Sequence, residues 1–367
     1  KRRHQSTAAV HTKACDDSRV PDNKQKAAIQ VAFAERPDDG QTQAVADGLH
    51  WLRMPLPFML SHINLWLLEE QHSWTLVDTG VHYPAAKEVW EKTFAETMNG
   101  KPAGRVIVTH LHPDHVGCAG WLARRFDVEL WMSRAEYLLA RVLVADTGKP
   151  APEAGIRFYK AAGFTAESID NYKKMFGMFG KGVSEIPESY RRLCDGDRFD
   201  INGSTWEIIE GRGHSPEHAC LFNADKRLLI SGDQLLPTIS SNVSVHPTEP
   251  AANPLRDWIE SLQRLQQRVP EDVLVLPAHG RPFYGAHQRA AALIEEHNEG
   301  LDALLELCRK PKRAVDVFSA LFRSEVTERI LIMATGEAIA HLNYLVAENH
   351  LVMTTDDEGV NWYQRKT

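Results

Sequence analysis

Short apolar runs separated by turn residues dominate the early part of the chain. Gly48 to Met54, His62 to Leu68 and Ser73 to Val77 read as an opening antiparallel set of strands, with turns at Pro55 to Pro57 and Glu69 to His72. The spacing turns helical from Pro84 to Met98, returns to a β-branched run at Val106 to Val108, then predicts a helix at Ala119 to Phe126 and a strand at Val128 to Met132. Further strands are expected at Thr205 to Glu210, Arg227 to Ile230 and Asp272 to Leu276. Leu255, Trp258, Ile259, Leu262, Leu265 and Val269 recur at the spacing of an amphipathic helix covering a sheet.

The alternation breaks between Ser133 and Asp200. Roughly seventy residues intervene where a strand connection needs only a few, and helical periodicity appears at Ala135 to Val144 and Ala166 to Met178. This insertion is expected to form a cap. Beyond His287 the pattern is helical at Ala291 to Leu307, Ala314 to Phe322 and Gly336 to Val346. Two short apolar runs follow, Leu351 to Met353 and Val360 to Tyr363, in the order of a winged helix.

The ends of the predicted strands carry the chemistry. His110, His112, Asp114 and His115 crowd into six residues directly after Val106 to Val108. Imidazole and carboxylate suit zinc and similar divalent ions, and four in one turn can serve two ions. His214, Asp233 and His279 each follow another strand-like run and are each flanked by glycine, which lets the backbone turn sharply beside a ligand.

These residues, with Val77-Asp-Thr-Gly80, resemble the signature of the metallo-β-lactamase superfamily over roughly residues 46 to 300. The resemblance implies an α/β (α+β) fold, the αββα sandwich, with metals at one edge. It implies that His110, His112 and His214 hold one ion, that Asp114, His115 and His279 hold the other, and that Asp233 bridges them. Asp114 would also orient the nucleophilic water and return a proton to the leaving group, while Asp78 would fix the tautomer of a liganding imidazole. Two such ions can lower the pKa of a shared water and provide hydroxide near neutrality. Zinc is the expected ion, with manganese and iron accepting the same donors. Relatives that use iron for oxygen chemistry carry glutamate where this chain has His112, so hydrolysis is expected.

The substrate expectation is a small ester or thioester, of the acyl-CoA or glutathione kind handled by glyoxalase II-like enzymes. Alternatives are a single-strand endoribonuclease, as in a winged-helix-tailed subfamily similar to this chain's end, then a lactonase or a mononuclear iron persulfide dioxygenase. The cap from Arg157 to Arg192 carries seven Lys or Arg against four Asp or Glu, in a chain of net charge −7. Lys173, Lys174 and Lys181 are therefore candidates to meet an anionic acyl substrate, and Tyr284, close behind His279, is a candidate oxyanion donor.

Composition sets the remaining bounds. With 367 residues and 43% hydrophobic content the chain can bury a large core. Residues 1–45 are expected to form a loose tail, 46–298 the metal-binding domain with its 133–200 cap, and 299–367 the winged-helix unit. There is no apolar run of membrane-spanning length. Five scattered cysteines, Cys15, Cys118, Cys194, Cys220 and Cys308, fit reduced thiols and a cytoplasmic setting. Cys118 is expected to pack rather than ligate, and His218 to be structural. From Gly300 to Thr367 there are eight Lys or Arg and ten Asp or Glu, with Asp356, Asp357 and Glu358 at the expected wing tip. That charge disfavours nucleic acid and points to packing or homodimerisation.

Overall fold

The computed structural model describes residues 29–58 and 60–366. The chain begins with β1 (Gln30–Val31), β2 (Thr42–Ala46), β3 (Leu49–Pro55), β4 (His62–Glu69) and β5 (Trp74–Val77). Then come α1 (Pro84–Glu96), β6 (Ala103–Ile107), α2 (Pro113–Val116), α3 (Ala119–Phe126) and β7 (Leu130–Ser133). The cap supplies α4 (Arg134–Ala145), α5 (Glu153–Ala161), α6 (Ala166–Met175), a 3-10 turn at Phe179–Gly182 and β8 (Arg191–Leu193). β9 (Arg198–Ile201), β10 (Ser204–Gly211), β11 (His218–Asn223), β12 (Leu228–Gly232), α7 (Pro254–Arg268), β13 (Leu274–Pro277) and β14 (Phe283–Tyr284) follow. The last stretch is α8 (Ala286–Leu307), a 3-10 turn at Ala314–Asp316, α9 (Phe318–Leu321), α10 (Leu331–Ala347), β15 (Leu351–Thr355) and β16 (Asn361–Arg365).

One sheet has the order β2-β3-β4-β5-β6-β7-β8, the other β1-β14-β13-β12-β11-β10-β9. The first is antiparallel from β2 to β5 and parallel from β5 to β8, and β12 and β13 are the parallel pair of the second. Side chains alternate across a strand, so each sheet offers two faces. Leu49, Trp51, Trp66, Val77 and Ile107 of the first sheet pack on Trp206, Ile208, Leu221, Ile230 and Leu276 of the second, forming the central layer. The outer faces lie under helices: α1, α3 and α4 on one side, α7, α8 and α10 on the other. This is the αββα arrangement.

Helix α7 illustrates why these residues adopt this structure. The Asn253 side chain accepts the Arg256 N–H at 3.3 Å, and Pro254 at the first helical position needs no donor there. Leu255, Trp258, Leu262 and Leu265 fall on one stripe and are buried, each stabilising the fold by about 1.5–3 kcal/mol.

Several elements depart from the sequence expectations. The predicted loose tail extends over residues in which β1 pairs with β14 and β2 pairs with β3; the part before residue 29 lies outside the described residues. β1 is too short, and β2 too polar, to signal a strand. The expected boundary at 298/299 falls inside α8, whose heptad-like face is continuous across it. Ala314 to Phe322 is a 3-10 turn and a one-turn helix, not one helix, because Val317 leaves the helical range at φ −107°. Where helix, helix, helix and hairpin are expected, the chain runs helix, 3-10 turn, one-turn helix, helix and hairpin. No helix among the described residues is long and apolar enough to cross a membrane.

Candidate metal centre

β6 delivers the histidine turn to one edge of the sandwich. Pro113 opens α2, and the N–H groups of His115 and Val116 both reach the His112 carbonyl at 2.9 Å, closing the loop tightly. His214 follows β10, Asp233 follows β12 and His279 follows β13, so both sheets contribute to the same edge.

The ligand-type atoms form two groups, His110, His112, His214 and Asp233 in one and Asp114, His115 and His279 in the other. His110 Nε2 lies 2.7 Å from His112 Nδ1 and 3.3 Å from His214 Nε2. His279 Nε2 lies 3.3 Å and His115 Nε2 3.7 Å from Asp114 Oδ2. Asp233 stands between the groups. Its Oδ2 is 3.4 Å from His214 Nε2, and its Oδ1 is 3.5 Å from His115 Nε2 and 3.6 Å from His279 Nε2.

The opposite ring nitrogens are held from behind. His115 Nδ1 meets Asp78 Oδ2 at 2.8 Å, His214 Nδ1 meets the Asn242 carbonyl at 2.7 Å, and His279 Nδ1 meets the His62 carbonyl at 2.9 Å. Each contact points the Nε2 lone pair into the cluster. Asp78 sits at φ +61° and also accepts the Thr109 N–H at 2.8 Å, tying the two strand ends together.

Electrostatics separates the two groups. Burial pushes His110 well below the usual histidine range and His112 down to about 3, with neighbouring imidazoles adding to the effect. Burial opposes charge on His115 too, yet Asp78, Asp233 and Asp114 raise it well above that range. Burial would raise Asp114, but His115 and His279 hold it at about 2. The first group thus offers neutral imidazoles, while in the second the ionised carboxylates favour protons on His115 and His279 that a cation would displace. His115 Nε2 and Asp233 Oδ1 are buried with no hydrogen-bond partner. Such orphaned groups are costly unless something binds them, and a divalent ion fits both.

Two residues support the cluster from outside it: His218, expected to be structural, and Glu136, which the sequence reading does not single out. His218 is fully buried, stacks near His110 at 4.9 Å between centroids, and its Nε2 accepts the Asp233 N–H at 3.1 Å. A Cβ at Gly232 would lie 2.5 Å from that Nε2, so glycine is required there. Glu136, on the first turn of α4, accepts the Leu111 N–H at 2.9 Å and the Glu217 N–H at 2.8 Å, joining the histidine turn to the His214 loop. Glu136 has no sequence signal beyond that of an ordinary helix residue.

The remaining candidates are spread out. Lys181 lies on the Phe179–Gly182 turn, whose Gly182 carbonyl accepts the His82 N–H at 2.8 Å and whose chain sits against Pro113. Lys173 pairs with Asp170 at 3.1 Å on α6, and Lys174 is exposed beside it. Tyr284 is not brought to the cluster. The turn after His279 reverses the chain, so Tyr284 pairs with Gln30 and lines a depression with Arg227, Asp272 and Gln288 at the other end of the strands. Cys118 is buried 3.4 Å from the Val81 carbonyl, outside both groups, and burial pushes its thiol up to about 12. Cys194, Cys220 and Cys308 are also free thiols.

Residues 60–279 match the Metallo-beta-lactamase superfamily, and residues 301–366 match the domain described as Metallo-beta-lactamase-like, C-terminal domain. The chain is 27% identical to the probable metallo-hydrolase YqjP of Bacillus subtilis, over 81% of this chain and 92% of that one. The solved structure of a beta-lactamase domain protein from Burkholderia ambifaria is 40% identical and superposes with a TM-score of 0.83, covering 92% of this chain and 97% of its own. Two more distant relatives are an atrochrysone carboxyl ACP thioesterase of Aspergillus fumigatus and the hydroxyacylglutathione hydrolase GloC of Haemophilus influenzae. The first is 24% identical over 80% of this chain and 52% of its own; the second is 22% identical over 48% and 68%.

Proposed function

The chain belongs to the metallo-β-lactamase superfamily, and from that premise we propose that this metallo-hydrolase is dinuclear and cleaves a small ester or thioester with an anionic portion. The observation that carries the reading is Asp233, whose two carboxylate oxygens face separate histidine groups. His110, His112 and His214 would hold one divalent ion and Asp114, His115 and His279 the other, with Asp233 shared and zinc the best match to these donors. Bound there, the ions supply polarisation of the substrate carbonyl and acidification of a water.

The protein's own groups do the rest. Asp114, ionised and beside His279, is suited to orient the attacking water, accept its proton and return it to the leaving group. Asp78 keeps His115 in one tautomer. Phe58 and Leu60 on the loop leading to His62, Ile239 on the loop after Asp233 and Met178 before the Phe179–Gly182 turn are exposed and would offer apolar surface to an acyl part. Lys181 on that turn offers a cation to the anionic part. A thioesterase and a hydroxyacylglutathione hydrolase among the relatives support a thioester.

The test is a panel of thioesters, lactones and oligoribonucleotides, run on zinc-loaded protein and on Asp233→Ala. Thioester hydrolysis that is lost in the variant is expected. Oligoribonucleotide cleavage as the dominant metal-dependent activity would overturn the substrate assignment.

A further inference from the structure

The segment Gly336-Glu-Ala-Ile-Ala-His-Leu-Asn-Tyr-Leu345 of α10 belongs to the C-terminal unit, yet Glu337 and Asn343 face the loop between Asp233 and α7. Glu337 Oε2 accepts from Asn242 Nδ2 at 2.7 Å. The other end of that amide, Asn242 Oδ1, accepts from Ser244 Oγ at 2.5 Å. The Val245 N–H reaches the Gly336 carbonyl at 3.0 Å. A Cβ at Gly336 would lie 2.7 Å from Ser244 Oγ, so a side chain there would push the loop away. At the far end of the loop, Asn343 Nδ2 donates to the Ala252 carbonyl at 2.9 Å and to the Pro250 carbonyl at 3.1 Å.

Asn242 is the residue whose carbonyl accepts the Nδ1–H of His214. A carbonyl shifted by a few tenths of an ångström rotates or releases the ring it orients, and such supporting contacts typically change metal affinity 10–100-fold. We infer that the C-terminal unit completes the metal centre: Glu337 is a positioning residue that fixes Asn242 and, through its carbonyl, the ring of His214. The C-terminal unit is then part of the hydrolytic machinery, with no binding partner needed to explain its attachment. Its acidic hairpin tip at Asp356 to Glu358 stays at the surface, away from this contact.

The inference rests on His214 being a ligand, and the experiment separates the two ideas. Zn2+ affinity of the full-length protein is measured by competition with a chromogenic chelator for wild type, Glu337→Leu and Glu337→Gln, and the melting temperature of each metal-free protein is recorded. Glutamine keeps an acceptor for the Asn242 amide, whereas leucine removes it. The expected result is at least a tenfold weaker site in Glu337→Leu, near-wild-type affinity in Glu337→Gln, and metal-free melting temperatures that agree within a few degrees. Co2+ loaded into Glu337→Leu is expected to show an altered visible spectrum. Wild-type affinity in Glu337→Leu, an equal loss in Glu337→Gln, or a loss matched by metal-free destabilisation would each overturn it. Failure of the wild type itself to bind Zn2+ would instead sink the metal-centre reading.

Discussion

His218 accepts the backbone N–H of Asp233 at 3.1 Å through Nε2, which requires an unprotonated nitrogen facing the strand end that carries the Asp233 carboxylate. Burial, with help from His214, pushes this imidazole down to about 3, so the acceptor state holds across the neutral range. Replacing His218 by Phe keeps the bulk and removes the acceptor. Metal affinity is expected to fall 10–100-fold with the circular dichroism spectrum unchanged, and unaltered affinity would show that Asp233 needs no such support.

Metal analysis of protein purified without chelator should find up to two ions per chain. Asp233→Ala removes the carboxylate that faces both histidine groups, so the ion content and the turnover should both collapse while the protein stays soluble. His112→Ala should do the same for turnover. Full activity in either variant refutes the role assigned to that residue.

Lys181 and Lys174 differ in where the fold puts them. Lys181 belongs to the turn packed on Pro113, whereas Lys174 projects from α6. Lys181→Ala is therefore expected to raise KM for an anionic thioester severalfold with kcat little changed, as uniform binding loss requires. Lys174→Ala should leave both constants alone. Equal effects of the two substitutions would mean a diffuse field in place of a contact.

Acid should weaken the packing of α10 on α8 through a buried histidine pair. His297 Nδ1 lies 3.1 Å from His341 Nε2, and both rings are buried. Burial holds His297 down at about 3 and His341 at about 4. Folded values below the unfolded one mean that the unfolded chain binds more protons, so this stability is complete above about pH 6.5 and is lost as pH falls toward about 4. At pH 5 the loss is on the order of 2 kcal/mol per histidine. The melting temperature of the metal-free protein should drop between pH 7.5 and 5, and His297→Gln should flatten that drop.

The parts of the fold that can be read from the sequence are those whose signal is local. The turn from His110 to His115 announces itself because its donors are consecutive, and His214, Asp233 and His279 because each ends an apolar run. Asp78 is legible for the same reason. His218 is legible as structural but its contact is not, because that lies in which nitrogen meets which backbone N–H across two strands. Glu136 looks like any helix-surface acid until the fold buries it against Leu111 and Glu217. Tyr284 misleads in the opposite sense, since closeness in sequence is cancelled by a chain reversal. α5 goes unannounced as well, because it is short and holds Gly155, whose missing side chain makes room for the Tyr172 hydroxyl.

The ligand-type residues are dealt out over both sheets, from the strand end after β6 to the one after β13, and Glu337 lies further on still. A nascent chain leaving the ribosome can therefore fold its first sheet and display the histidine turn long before the partners of that turn exist. Half of the donors would then face solvent as a loose, low-affinity site. Tight metal capture would have to wait until His279 and Glu337 have both emerged, which would make ion loading a check that both halves have come together correctly.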